Sequence, residues 1–226
     1  MKILIYSDLH IEFKGFESPQ VDADLVVLAG DISVREQGVL WANRTFECPV
    51  VYVCGNHEFY KGHLDRTLIK MREAAAEHVY VIESQILIIS GTRFLVTTAW
   101  TDYTSTGDYR SAMRDCAEGM SDFSRIKVGE GYRKLRPVDL IGRNIAAREF
   151  LITELAKPFE GKTIVITHHC PIQEVAGEGH EGHLGAAYFN QWHDLVARAD
   201  VWFFGHTHHA VDTVIAGCRL VSNPRG

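Results

Sequence analysis

The sequence predicts an α/β fold, and three features support this. The chain has 226 residues, which is the size of one ordinary domain. Its composition, 46% hydrophobic and 23% charged, is close to the globular average and excludes disordered and fibrous proteins. Short apolar runs alternate with amphipathic stretches, and the first runs end at polar or glycine-rich turns. We therefore expect a single domain over residues 1–226.

The first part of the chain contains both predicted strands and predicted helices. Three apolar runs are typical of buried strands, at residues 2–6, 25–28 and 50–53. Apolar residues at helical spacing indicate helices at residues 36–45 and 63–78. Three more strands then follow closely, at residues 79–82, 86–89 and 94–98. Since no helix separates these strands, we expect a second sheet or an antiparallel edge.

Residues 102–138 differ from the rest of the chain. They are polar, contain several glycines and show weak periodicity. Seven basic and six acidic residues make the segment slightly positive, whereas the whole chain has a net charge of −6. We interpret the segment as an insertion that caps a site, and the alternative is a solvated surface excursion.

Regular structure resumes after the insertion. A long apolar face predicts a helix at residues 138–156, followed by a strand at residues 163–167. Residues 173–187 form a loop rich in glycine and histidine. A helix at 187–198, a strand at 201–204 and a hairpin of strands 211–216 and 218–222 complete the prediction.

Composition also limits the compartment and the partners. The net charge of −6 argues against a broad basic surface that tracks extended nucleic acid. Five cysteines without a CxxC pair support neither a disulfide framework nor a thiolate zinc site. No apolar run is long enough to span a bilayer, and the N-terminus does not resemble a signal peptide. We expect a cytoplasmic protein without a membrane partner.

Polar residues with metal-binding chemistry follow five of the apolar runs. The segments are Asp8-Leu9-His10, Gly30-Asp31, Gly55-Asn56-His57-Glu58, His168-His169 and Gly205-His206-Thr207-His208. Residues two apart share one side of an extended chain, so Asp8 and His10 are expected to point the same way. His206 and His208 have the same spacing. The glycines allow tight turns that bring short side chains inward.

These donors indicate a site for more than one metal ion. Oxygen and imidazole ligands without thiolate suit Mn²⁺, Fe or Zn²⁺. Seven ligand side chains are too many for one tetrahedral zinc, whereas two ions could share one carboxylate. A pair of ions is the usual arrangement for phosphoryl displacement. Two divalent ions would outweigh Asp8 and Asp31 and leave a positive site that attracts phosphate.

The five motifs, in this order, resemble those of the calcineurin-like metallophosphoesterase superfamily. They run from residue 7 to residue 209 and so cover nearly the whole chain. The segment Asn223-Pro224-Arg225-Gly226 also resembles the superfamily's small single-domain bacterial members. The resemblance implies a four-layer αββα sandwich with a two-metal site at the carboxyl ends of its strands. Cys170 stands where many members have proline, which affects the loop rather than the ligand at His168.

The resemblance also implies the roles of individual residues. Asp8, His10 and His208 would bind the first metal ion. Asn56, His168 and His206 would bind the second, and Asp31 would bridge the two. A metal-bridging hydroxide would be the nucleophile. His57 would be the general acid or would steady the leaving oxygen.

Three further residues are candidates for supporting roles. His169 lies beside a ligand and could line the pocket or simply be exposed. Glu58 is expected to stabilise its turn rather than to take part in chemistry. Arg125 lies between Phe123 and Ile126, which suggest an anchored position, so it could hold a second phosphate of the substrate. The alternative is that the charges of this segment are only solvated.

The predicted function is hydrolysis of phosphate esters with two divalent metal ions, Mn²⁺ foremost and Fe or Zn²⁺ as alternatives. The expected partner is a small phosphorylated substrate, such as a nucleotide-like compound. The motifs do not separate a phosphodiesterase from a phosphomonoesterase. A DNA or RNA nuclease on the same fold and a non-catalytic metal-binding scaffold are the alternatives.

Overall fold

The computed structural model describes residues 1–225, and within this range the chain forms twelve strands. They are β1 (Ile3–Tyr6), β2 (Leu25–Ala29), β3 (Val50–Val53), β4 (Val79–Ile82), β5 (Gln85–Ile89), β6 (Thr92–Thr97), β7 (Lys127–Val128), β8 (Arg133–Lys134), β9 (Thr163–Thr167), β10 (Val201–Phe203), β11 (Val211–Ile215) and β12 (Cys218–Ser222). The first sheet is parallel in the order β1-β2-β3-β4. The second has the order β11-β12-β10-β9-β6-β5, with antiparallel strands at both edges and parallel pairing between them.

The described residues also form six α-helices, which are α1 (Gln37–Thr45), α2 (Arg66–Ala74), α3 (Tyr109–Gly119), α4 (Asp122–Arg125), α5 (Pro137–Leu155) and α6 (His193–Val196). Short 3₁₀ helices cover His57–Phe59, Gln173–Val175 and His183–Ala187. The longest helix, α5, begins with proline, whose fixed φ and missing N–H suit a first helical turn. None of the helices within residues 1–225 is long and apolar enough to cross a bilayer.

The sequence-based prediction of a helix over residues 187–198 is wrong for most of its length. Only His193–Val196 is α-helical. The preceding residues pair instead with the loop after β9, because the N–H of Asn190 donates to the carbonyl of Cys170 at 2.9 Å. The N–H of Trp192 likewise donates to Pro171 at 3.0 Å. These backbone bonds use the groups that a helix would need.

Three apolar clusters divide the molecule into four layers. Residues from the inner faces of both sheets, such as Val27, Phe94 and Ile166, form the middle cluster. The outer face of the first sheet packs against α1, α2 and the segment that contains α3. The outer face of the second sheet packs against α5 and α6. The αββα sandwich implied by the resemblance is confirmed. Side chains alternate along β2, so that Val27 packs between the two sheets and Val26 packs against the outer helices.

Residues 102–138 form ordered structure rather than an extended loop. They contain α3, α4 and the small hairpin of β7 and β8. The carboxylate of Asp108 caps α3 by accepting hydrogen bonds from the N–H groups of Arg110 and Ser111. Phe123 and Ile126 are buried and anchor the segment. The sequence did not predict α3, because its buried stripe is short and consists of small side chains.

Candidate metal centre

Both sheets contribute to the site through loops that follow their parallel strands. Asp8 and His10 follow β1, Asp31 follows β2, and Asn56 follows β3. His168 follows β9 in the second sheet, and the pair His206 and His208 follows β10. The structure brings all seven predicted ligands together into two adjoining groups.

The first group consists of Asp8, His10 and His208, whose donor atoms all lie within 4.8 Å of one another. The Nε2 atoms of His10 and His208 are 3.1 Å apart. Nε2 of His208 is 3.6 Å from Oδ1 of Asp8. Oδ2 of Asp8 is buried and has no hydrogen-bond partner among the described residues. A buried carboxylate oxygen without a donor is costly, and a metal ion would satisfy it.

The second group consists of Asp31, His168 and His206, again with donor atoms within 4.8 Å of one another. Asn56 joins this group, because its Oδ1 lies 3.1 Å from Nε2 of His168. Separations of this size are what ligands of one ion show when metal–ligand bonds are about 2.1 Å long.

Asp31 lies between the two groups and faces both. Its Oδ1 is 3.4 Å from Nε2 of His168 in the second group. Its Oδ2 is 3.9 Å from Nε2 of His10 in the first group. One carboxylate oxygen is therefore directed to each group, which is the geometry that a bridging ligand needs.

The backbone that presents these ligands is not extended, contrary to the expectation for Asp8 and His10 and for His206 and His208. All four residues, together with Asp31, have positive φ angles between 45° and 72°. The left-handed turns are held by backbone bonds, such as that from the N–H of Asp8 to the carbonyl of Gly30 at 3.0 Å. Strained backbone of this kind is stable only where the surrounding structure enforces it, and it is concentrated at functional sites.

Two glycines leave room for the carboxylates. A Cβ atom at Gly55 would lie 2.2 Å from Oδ1 of Asp31. A Cβ atom at Gly205 would lie 2.7 Å from Oδ2 of Asp8. These two glycines therefore make space for the carboxylates, whereas the left-handed turn expected of a glycine is found at Gly30, whose φ is 86°.

Neighbouring groups orient the second set of ligands. Nδ1 of His168 lies 2.9 Å from the carbonyl of Ala29, so it carries the proton and leaves Nε2 to bind a metal. Nε2 of His206 lies 3.2 Å from the carbonyl of Ala187, which leaves Nδ1 of His206 to bind a metal. Nδ2 of Asn56 donates to Oδ1 of Asp122 at 2.9 Å and so directs the amide oxygen toward His168. Partners of this kind are typical of metal ligands.

Burial controls the electrostatics of the site. It raises the pKa of Asp8 to about 6. Burial, together with the negative charge of Glu58, holds the pKa of Asp31 well above its ordinary value. Burial also lowers the pKa of His168 and His206 well below the usual range, which keeps both imidazoles in the neutral form that binds metal. The donors present therefore fit divalent cations, which would supply the positive charge that the buried carboxylates lack.

His57 lies at the edge of the two groups and faces the cavity. Its Nδ1 is 2.8 Å from Oε1 of Glu12, and its Nε2 is 3.9 Å from Oδ2 of Asp31. Its ring stacks on Tyr60 with centroids 4.2 Å apart. Glu12 was missed by sequence reasoning, although it lies only two residues beyond His10. Burial raises the pKa of Glu12, but hydrogen bonds from His10 and His57 outweigh burial and lower it to about 2.

A cavity of about 350 Å³ opens beside the two groups of candidate ligands. Asp31, Asn56, His57 and His206 line one part of it. Tyr60, from the turn before α2, also lines it. The remainder is lined by residues from the end of α3, the loop after it and two later loops, namely Gly119, Met120, Ser121, His180, Tyr188, Thr207 and His208. The segment 102–138 thus reaches the site. Asp122, which holds Asn56, was also missed, because nothing in the sequence links positions 66 residues apart.

The three supporting candidates lie in different places. Glu58 is buried beneath the ligands and hydrogen-bonds to the loops of Asp31 and Gly55. The ring of His169 is 4.2 Å from that of His206, and its Nδ1 is 3.2 Å from the carbonyl of Thr98. The guanidinium of Arg125 lies 5.3 Å from the centre of the Tyr60 ring and is not among the lining residues of the cavity.

Comparisons with known proteins agree with the motifs. A model of the calcineurin-like phosphoesterase family matches residues 1–210. Phosphopantetheinyl hydrolase from Mycobacterium tuberculosis aligns with 100% of this chain and 89% of its own, at 17% identity and a TM-score of 0.75. A 5′-nucleotidase-like protein from Staphylococcus aureus, in complex with alpha-ketoglutarate, aligns with 99% of this chain and 48% of its own, at 12% identity and a TM-score of 0.59. The chain thus spans about half the length of the second protein. No curated protein matches the sequence significantly.

Asp31→Asn tests the bridging position. The amide keeps the shape but loses the charge and one of the two oxygen ligands. We expect the wild type, purified with Mn²⁺, to carry two ions per chain and the variant to lose at least one, as measured by elemental analysis. Asp212→Asn, an exposed change on β11, is the control and should leave the metal content unchanged. Less than about one ion in the wild type would contradict the assignment.

Proposed function

The chain belongs to the calcineurin-like phosphoesterase family, and on this premise we propose that it is a two-metal hydrolase of small phosphate esters. The observation that carries the proposal is the position of Asp31, with one oxygen toward His168 and the other toward His10. The proposal covers phosphodiesters and phosphomonoesters, since both reactions use the same groups.

Each group of ligands would hold one ion. Asp8, His10 and His208 would hold the first, and Asn56, His168 and His206 the second, with Asp31 shared. Mn²⁺ is our first choice, and Fe or Zn²⁺ also suit nitrogen and oxygen donors without sulfur. When bound, the two ions would polarise the phosphoryl oxygens and activate water for attack.

In this proposal, His57 donates a proton to the leaving oxygen. Its Nδ1–H is held by the carboxylate of Glu12, so Nε2 is directed into the cavity. Stacking on Tyr60, with ring centroids 4.2 Å apart, would keep the imidazole in place. We assign His57 as the catalytic acid and Glu12 as the residue that positions it.

The segment 102–138 acts as a cap in this proposal, within a single domain that spans residues 1–226. Met120 and Ser121 line the cavity, and Asp122 holds Asn56. A cavity of about 350 Å³ suits a small ligand rather than a polymer. The phosphopantetheinyl hydrolase and the 5′-nucleotidase-like protein among the structural relatives have names that refer to small phosphorylated compounds, which supports a substrate of this class.

A panel of substrates tests the activity. We expect the Mn²⁺-loaded protein to hydrolyse at least one of bis-p-nitrophenyl phosphate, p-nitrophenyl phosphate and a cyclic nucleotide. The Asp31→Asn variant should lose this activity, because the charge that holds both ions is gone. If the wild type carried two ions and yet hydrolysed none of the three substrates faster than Asp31→Asn does, the protein would be a metal-binding scaffold.

His57→Ala and Glu12→Gln should share one kinetic signature. A positioned acid contributes about 10²–10⁴-fold, and loss of a carboxylate that orients a histidine costs about 10–100-fold. Both losses should be largest for substrates with poor leaving groups, which need the proton most. Both variants should retain two metal ions.

The control for this pair is Glu178→Gln, a change at an exposed glutamate outside the cavity. It should leave the rates unchanged for every leaving group. If Glu12→Gln slowed good and poor leaving groups equally, Glu12 would be a structural residue and not a partner of the acid.

A further inference from the structure

A second cavity, of about 370 Å³, lies beside the metal centre and has a strongly basic lining. We refer to it as the basic cavity. Five cationic side chains line it, those of Arg35, Lys61, Arg66, Lys70 and Lys127. No carboxylate is among its lining residues. Such a concentration of positive charge is unexpected in a chain with a net charge of −6.

Most of this positive charge is not compensated within the protein. Arg35 contacts Glu36 at 3.3 Å. Arg66 contacts Tyr132 and lies 4.6 Å from the centre of its ring. In the part of the chain that the structure describes, the three lysines have no carboxylate within 4.0 Å. Arg66 and Lys70 are also one turn apart on α2, where like charges destabilise a helix.

The cavity has a rigid frame. The loop before α2 pairs with β7, since the N–H of Lys127 donates to the carbonyl of Gly62 at 3.0 Å and the N–H of Leu64 donates back to Lys127 at 2.9 Å. His63 is buried, and its Nε2 is 3.1 Å from the carbonyl of Gly129. A Cβ atom at Gly62 would lie only 2.4 Å from Oγ1 of Thr67. The cationic side chains therefore extend from fixed backbone into one space.

We propose that the basic cavity binds an anion that carries two or more phosphate groups. Lysine and arginine side chains are the usual donors to phosphate oxygens. Four of the five cations have no carboxylate within 4.0 Å among the described residues, and a single phosphate group, with about two negative charges, would neutralise only half of them. Two or more phosphate groups match the charge of the cavity more closely.

The anion has two potential sources. Tyr60 lines the cavity of the metal centre, and the next residue, Lys61, lines the basic cavity, so one turn of the chain borders both spaces. The anion could be a second phosphate group of the substrate, and this source rests on the proposed function. Alternatively, the anion is a separate effector, and this source does not rest on the proposed function.

Calorimetric titration with methylenediphosphonate, a diphosphate analogue that cannot be hydrolysed, tests the proposal on the Mn²⁺-loaded protein. The variant is Lys61→Gln/Lys127→Gln. The control is Lys2→Gln/Lys162→Gln, which removes the same charge from lysines that pair with Asp22 and Asp200 outside the cavity. Chelation and binding at the metal centre are the same for both, so their difference reports on the basic cavity.

We expect the cavity variant to raise the Kd at least about tenfold and the control to remain within about twofold of the wild type. The difference should shrink as the salt concentration rises, since salt screens partly exposed charges. An equal Kd for the two variants would overturn the proposal. The protein could also bind diphosphonate through Lys61 and Lys127 and yet show no phosphoesterase activity. That result would support this site and contradict the proposed function.

Inhibition of p-nitrophenyl phosphate hydrolysis then separates the two sources. If the cavity variant raises the inhibition constant of adenosine 3′,5′-bisphosphate but not that of adenosine 5′-monophosphate, the cavity holds a second phosphate of the substrate. If both constants are unchanged while diphosphonate binding is lost, the cavity holds a separate anion.

Discussion

The buried carboxylate of Glu58 is the constraint on which the geometry of the metal centre depends. It accepts hydrogen bonds from the N–H groups of Asp31 and Ile32 after β2, both at 2.9 Å. It also accepts from the N–H of Gly55 after β3 at 2.6 Å and from the hydroxyl of Tyr52 at 2.8 Å. Burial still raises the pKa of Glu58, but these donors offset part of the cost of burying its charge. Because two neighbouring loops share one acceptor, Asp31 and Asn56 are held in a fixed relation before any ligand binds.

The sandwich explains why the site lies where it does. The first sheet provides the carboxylate and amide ligands and one histidine, His10. The other three histidines come from the second sheet. The ends of β2 and β9 are joined at this edge by the contact between His168 and the carbonyl of Ala29. Each group of ligands contains residues from both sheets, so packing between the sheets brings the members of each group together. The strained turns after the strands direct their side chains toward one another.

Sequence reasoning predicted the strands well, because buried strands are short apolar runs that end at recognisable turns. It also selected the seven residues that the structure brings together, although their division into two groups came from a family resemblance. The left-handed turns at Asp8 and His206 could not be predicted, since they depend on hydrogen bonds to other strands. The same holds for Asp122, which reaches Asn56 only through the packing of the cap segment. The helix predicted at residues 187–198 failed for a related reason, because tertiary pairing with residues 170–171 overrides local periodicity.

The proposed activity depends on two metal ions that share Asp31, and anomalous diffraction from crystals grown with Mn²⁺ tests this most directly. We expect two peaks about 3.5–4 Å apart. One should lie among Asp8, His10 and His208, the other among Asn56, His168 and His206, and each should contact a different oxygen of Asp31. A single peak, or two peaks of which only one contacts Asp31, would contradict the proposal.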